Sequence, residues 1–129
     1  MSGDCVLVTG ATGLLGPYIC AEFSDCNVIT TARRNADYNC DLTDAQAVEK
    51  LIRSVKPDTV IHLMALTDVD YCEANQDTAR LFNATSVEQI VAALDPEAAL
   101  IYLSSDQVYR GDDGPHPVSY THLTLPTKA

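Results

Sequence analysis

The segment Thr9-Gly10-Ala11-Thr12-Gly13-Leu14-Leu15-Gly16 places three glycines three residues apart, directly after the short apolar run of residues 5–8. Few folds accommodate that order. A buried strand must end near Gly10 and give way to a helix, on which Leu14, Leu15, Ile19 and Phe23 fall at helical spacing. In that setting Gly10 permits a tight turn, Gly13 lets backbone approach a pyrophosphate without an intervening Cβ, and Gly16 allows close packing of helix on strand. The N–H groups of the first helical turn would then face the anion. An ordinary glycine turn between strand and helix accounts for the same residues without a ligand, so the remaining segments carry the decision.

Those segments alternate. Residues 27–31 are β-branched and predict a second strand, and residues 38–40 a short third one. Thr43 and Gln46 have capping-box spacing, and Ala47, Val48, Leu51, Ile52 and Val55 form one apolar helix face that Pro57 terminates. Residues 59–65 form a largely apolar run, as for a strand buried on both faces of a parallel sheet. Over residues 70–94, Ala79, Phe82, Val87, Ile90, Val91 and Leu94 predict one long amphipathic helix ending before Pro96. Residues 98–103 predict a fifth strand, and a polar loop follows. Strand and helix in alternation predict an α/β fold, a doubly wound parallel sheet of order 3-2-1-4-5 with right-handed crossovers.

Composition narrows the function. The 129 residues carry 18 acidic and 8 basic side chains, a formal charge of −10, with 47% hydrophobic residues. That bounds the chain to one domain and disfavours nucleic acid or an anionic membrane surface as a partner. Five scattered cysteines (Cys5, Cys20, Cys26, Cys40, Cys72) form no C-x-x-C pair, which argues against a disulfide scaffold or a structural zinc. His62, His116 and His122 show no ligand spacing, so no metal is expected, and Asp106, Asp112 and Asp113 read as a solvated turn. With no basic, apolar leader after Met1, the expected location is the cytoplasm.

The last residues are different in kind. Val118-Ser119-Tyr120-Thr121-His122-Leu123-Thr124-Leu125-Pro126-Thr127 back-translates to a transposon adapter used in DNA library preparation. Residues 118–129 are therefore expected to be an unstructured artefact, leaving residues 1–117 as the N-terminal part of a domain cut after its fifth strand. A genuine flexible tail is the alternative.

At the end of the second strand, where a dinucleotide site that prefers NAD carries an acidic residue for the ribose, this chain has Thr31-Ala32-Arg33-Arg34. A guanidinium pairs bidentately with a 2′-phosphate, so NADP(H) is favoured and NAD(H) remains open. Two solvated surface arginines are the simpler reading of the same residues.

Taken together, Gly10, Gly13 and Gly16, Asp41-Leu42, and His62-Leu63-Met64-Ala65 resemble the motifs of the extended short-chain dehydrogenase/reductases that act on nucleotide-linked sugars. Thr67-Asp68-Val69-Asp70-Tyr71-Cys72-Glu73, Asn83-Ala84 and Ser104-Ser105-Asp106-Gln107-Val108-Tyr109 resemble the dTDP-4-dehydrorhamnose reductase branch, which also holds the regulatory subunit of methionine adenosyltransferase. Leu63-Met64 departs from the small pair usual in that strand motif. The resemblance implies a Rossmann-like NAD(P)-binding domain. It places cofactor contacts at Gly10, Thr12, Gly13, Leu14, Leu15, Gly16, Arg33, Arg34, Asp41, Leu42, Met64, Ala65 and Asn83, and a catalytic hydroxyl at Ser105. Without it, Ser105 is equally a turn or cap serine, and Asn83 a tolerated polar residue in a helix.

The same resemblance implies, for the intact protein, a keto-sugar reductase working on a nucleotide-sugar with NADP(H), and a homodimer. An epimerase or dehydratase of the superfamily, or a regulatory subunit that binds NADP without turnover, are the alternatives. The family's Tyr and, four residues later, Lys are missing here: Tyr102, Tyr109 and Tyr120 are followed at that spacing by Asp106, Asp113 and Thr124. The 129 residues are accordingly expected to be inactive and to expose half of an apolar interface.

Overall fold

The computed structural model describes residues 4–103. Val6, Leu7 and Val8 are all buried, because β1 (Cys5–Thr9) lies at the centre of a parallel sheet and is covered on both faces. It pairs with β2 (Asn27–Ala32) on one side, Leu7 opposite Ile29, and with β4 (Thr59–His62) on the other, Leu7 opposite Val60. The short β3 (Tyr38–Asn39) extends the sheet beyond β2, and β5 (Ala99–Tyr102) extends it beyond β4. The order is 3-2-1-4-5, every pair parallel, as the alternation predicts.

Side chains alternate between two cores, the period-two consequence of the pleat. Val6, Val8 and Ile61 face α1 (Gly16–Glu22), where Ile19, Cys20 and Phe23 pack on them. Leu7 and Val60 face the other way, onto Val48, Leu51 and Ile52 of α2 (Ala45–Val55) and Ile90 of a later helix, α5 (Ser86–Ala93). Each such aliphatic side chain contributes about 2 kcal/mol by leaving water, so α2 is held by its face and not by its length.

Three local features differ from the periodicity. First, α1 begins at Gly16, so Leu14 and Leu15 lie in the preceding loop and are exposed. Second, the cap of α2 is Asp44, whose Oδ1 accepts from the N–H groups of Gln46 (3.0 Å) and Ala47 (3.3 Å); Thr43 is one residue too early. The helix ends at Lys56 in the left-handed region (φ 51°), ahead of Pro57. Third, the expected long helix is broken into α3 (Val69–Ala74), α4 (Gln76–Arg80), a π-helical turn (Leu81–Thr85) and α5. Asn75 causes the first break, with extended φ and its side chain Nδ2 donating to the Tyr71 carbonyl (3.0 Å). The extra residue of the π turn then shifts the apolar phase, which leaves Val91 exposed while Ile90 is buried.

None of the five cysteines forms a disulfide, and all five are part-buried. No helix among the described residues is long and apolar enough to cross a membrane. Residues 118–129, read above as adapter-derived, lie outside the described residues.

Candidate functional site

The chain leaves β1 for one side of the sheet and reaches β4 on the other, so a crevice opens beyond the carboxyl ends of β1 and β4. There a cavity of about 340 Å³ is lined by Gly10, Thr12 and Gly13 after β1, Ala32 and Arg33 at the end of β2, Cys40, Asp41 and Leu42 after β3, residues 63–66 after β4, and Phe82 from the π turn.

Its floor is backbone against backbone. Gly10 has φ +61°, and a Cβ there would lie 2.8 Å from the Met64 nitrogen, so no larger residue fits without moving the β4 exit. Gly13 donates to the Gly10 carbonyl (3.0 Å), closing the turn. At Gly16 a Cβ would sit 1.9 Å from the Ala11 carbonyl oxygen, so this glycine seats α1 on the turn and does not line the cavity.

Beneath the floor runs a buried chain of hydrogen bonds. Thr9 Oγ1 accepts from the N–H groups of Leu63 (3.0 Å) and Met64 (3.3 Å) and lies 2.7 Å from His62 Nδ1. His62 Nε2 lies 3.3 Å from Ser86 Oγ, which itself donates to the Phe82 carbonyl (2.6 Å). One arrangement satisfies every proton: Thr9 donates to Nδ1, Nε2 carries the imidazole hydrogen, and Ser86 receives it. A second imidazole proton would face an oxygen that already accepts twice. Burial, moreover, pushes the His62 pKa down to about 4.

On the cavity wall, Asp41 Oδ1 accepts from Thr43 N–H (2.9 Å) and Thr43 Oγ1 (2.6 Å). Those bonds, with a smaller contribution from Arg33, hold its carboxyl below the usual range and set its rotamer, leaving Oδ2 available to a donor. The neighbouring Cys40 thiol is pushed up by burial and by Asp41 and Asp44, which keeps it protonated and unreactive. The guanidinium of Arg33 lies 5.3 Å from the centroid of the Phe82 ring.

The structure thus gathers Gly10, Thr12, Gly13, Arg33, Asp41, Leu42, Met64 and Ala65 around one cavity. It does not bring Leu14, Leu15, Gly16, Arg34 or Asn83 to it. Leu14 and Leu15 project from the loop before α1, and Arg34 is exposed beyond the end of β2. Asn83 has other work: Oδ1 accepts from Leu66 N–H (2.8 Å), Nδ2 donates to the Leu66 carbonyl (3.0 Å), and the Asn83 carbonyl accepts from Tyr102 Oη (3.0 Å). Its amide clasps the loop that lines the cavity. Ser105 lies outside the described residues. Apolar spacing predicts Phe82 on the face of one straight helix; the structure places it instead in the π turn, which leaves no mark in apolar spacing, and on the cavity wall. Among the described residues, no group of three or more His, Cys, Asp or Glu is placed to hold a metal ion.

The parallel 3-2-1-4-5 sheet with a glycine turn and cavity at its switch point is a Rossmann-type α/β fold. Residues 4–128 match the RmlD substrate binding domain, and the chain belongs to that family. Methionine adenosyltransferase 2 subunit beta of Xenopus tropicalis is 37% identical over 122 residues, covering 88% of this chain and 36% of the relative. The dTDP-4-dehydrorhamnose reductase of Escherichia coli K12 is 33% identical over 123 residues, covering 94% of this chain and 41% of the relative. The dTDP-4-dehydrorhamnose reductase of Bacillus anthracis, solved in complex with NADP, superimposes with a TM-score of 0.76 at 28% identity, over 86% of this chain and 39% of that one. The chain therefore spans about two fifths of the length of these relatives.

Proposed function

We propose that the cavity is an NADP(H) site, and that the chain is the cofactor-binding portion of an oxidoreductase that reduces a nucleotide-linked keto-sugar. The observation that carries this reading is the convergence, on one switch-point cavity, of the Gly10–Gly13 turn, the open Asp41 oxygen and the Arg33 guanidinium.

Each group has a distinct task. The Gly10–Gly13 backbone would lie along the pyrophosphate, and Gly13, where a Cβ meets only the Gly10 oxygen at 3.2 Å, keeps that approach open. Asp41 Oδ2 would accept from the exocyclic amine of adenine. Arg33 would take the 2′-phosphate as a bidentate donor. Bound there, the cofactor supplies hydride chemistry, and the protein orients it. Ser105 is proposed as the hydroxyl that donates to the reacting carbonyl. Tyr102 is not a substitute for the missing Tyr-Lys pair, because its hydroxyl is committed to Asn83 and burial pushes its pKa up. The 129 residues by themselves are accordingly proposed to bind without turning over.

The likeness to methionine adenosyltransferase 2 subunit beta, as high as that to the reductase, supports a second reading in which the cofactor is held for regulation. Titration with NADPH and NADH tests the site: tighter NADPH binding is expected, and equal or tighter NADH binding refutes the 2′-phosphate assignment. Resequencing the source DNA beyond the codon for Pro117 tests whether residues 118–129 are adapter-derived. It also reveals whether a Tyr-x-x-x-Lys pair follows, as the reductase reading requires.

A further inference from the structure

We propose that Phe82 is a specificity-determining residue, whose ring holds the Arg33 guanidinium in the orientation that receives a phosphate on the cofactor ribose. The proposal rests on the NADP(H) reading of the cavity and extends it to a residue on the opposite wall.

The base of Arg33 is fixed before its side chain is considered. Thr30 N–H (3.0 Å) and Oγ1 (3.1 Å) donate to Asp37 Oδ2, while Asp37 N–H donates back to Thr30 Oγ1 (3.0 Å), pinning the β2–β3 turn across Asn35 at φ 59°. What remains free is a long, exposed side chain, which would lose rotamer freedom on gripping a ligand. Phe82 removes part of that loss in advance, with its ring centroid 5.3 Å from Arg33 Cζ. The ring is itself anchored: its residue's carbonyl accepts from Ser86 Oγ, and the next residue, Asn83, clasps Leu66.

The mode of contact matters. An aromatic ring attracts the guanidinium without offering it an oxygen acceptor, whereas a carboxylate would consume the N–H groups of one edge. Asp41 is the nearby acid, but its Oδ1 is taken by Thr43, and among the described residues no carboxylate lies within 4.0 Å of Arg33. An oriented fork with unspent edges matches the acceptor oxygens of a 2′-phosphate. It adds little for a ribose 2′-hydroxyl, so the benefit of Phe82 falls on the phosphorylated cofactor alone.

The test compares NADPH and NADH affinities of the full chain carrying Phe82→Leu, Phe82→Tyr, Arg33→Met and the Phe82→Leu/Arg33→Met pair, with circular dichroism to verify folding. Phe82→Leu is expected to weaken NADPH about 2- to 5-fold, the effect of a partly exposed cation–π contact, and to leave NADH unchanged. Phe82→Tyr retains NADPH affinity, and in the Arg33→Met background Phe82→Leu changes nothing further. If Phe82→Leu does not fold, Phe82→Met takes its place with the same expectations. Equal loss for both cofactors, or a loss that persists without Arg33, overturns the proposal. A wild-type chain that binds neither cofactor overturns the cavity reading as well, whereas wild-type preference for NADPH that Phe82→Leu leaves intact overturns the role of Phe82 alone.

Discussion

Thr9 Oγ1 lies 2.7 Å from His62 Nδ1, directly opposite in register across β1 and β4, and this pair determines which protonation state the fold accepts. The hydroxyl also receives two backbone N–H groups from the cavity floor, so an imidazolium would leave the Thr9 proton without an acceptor.

The consequence for pH follows from the direction of the shift. His62 has a folded pKa of about 4, against an ordinary value of 6.5, so its neutral form stabilises the fold fully above 6.5 and that contribution disappears as pH falls toward 4. The total is about 3 kcal/mol. Urea denaturation between pH 7.5 and 4 is expected to show a steeper loss for wild type than for His62→Gln; parallel curves would contradict the assignment.

The three glycines are expected to separate by role. Gly16→Ala drives a Cβ into the Ala11 carbonyl and should cost more than about 3 kcal/mol. Gly10→Ala combines left-handed strain with contact on Met64 and should cost about 2 kcal/mol. Gly13→Ala should cost less than about 1 kcal/mol of stability, yet weaken NADPH binding by at least about tenfold. Melting and titration of the three variants check this order, and a Gly13→Ala chain that binds NADPH normally removes the pyrophosphate assignment.

Asp44 and Thr43 are adjacent but do different work. Asp44→Ala loses the cap of α2 and is expected to destabilise by about 1 kcal/mol. Thr43→Val keeps the cap and the backbone N–H bond to Asp41 but removes the hydroxyl bond, so the Asp41 carboxyl should titrate at higher pH, a shift that carboxyl NMR reads directly. Equal destabilisation by both variants, with no change at Asp41, would restore Thr43 as the cap.

Asn83→Ala removes both bonds to Leu66 and should cost about 2 kcal/mol, since it leaves the part-buried Leu66 N–H unpaired and the Leu66 carbonyl with only the weak Cys72 thiol donor at 3.6 Å. Hydrogen exchange at the Leu66 amide is the sensitive measurement. Acceleration there, with β1 amides unchanged, is the expected pattern; uniform acceleration would mean that the clasp serves the whole fold.

The sheet was legible because its signals are local and repeated: residues 5–8 are apolar throughout, Val60 and Ile61 form the middle of a second short run, and glycines mark the first turn. Half of the cavity was legible for the same reason, since Gly10, Gly13, Arg33 and Asp41 each follow a strand end. The other half depends on the π turn. Apolar spacing over residues 70–94 suits a straight helix well, and nothing in it reveals that Asn75 interrupts the helix or that a π turn carries Phe82 and Asn83. Leu14 and Leu15 misled for a related reason: apolar character placed them on a helix face, but the helix starts only at Gly16, where Pro17 follows.

The contact between Gly10 and Met64 has a consequence for how such a cavity can be altered. Its base is made of main chain pressed on main chain, with 2.8 Å between the position of an added Cβ and the nearest nitrogen, so there is no side chain there to exchange. Any retuning must come from the rim, where Arg33, Asp41 and Phe82 project from three separate connections. A family built on this plan can change what it holds one rim residue at a time, while the platform beneath keeps its dimensions.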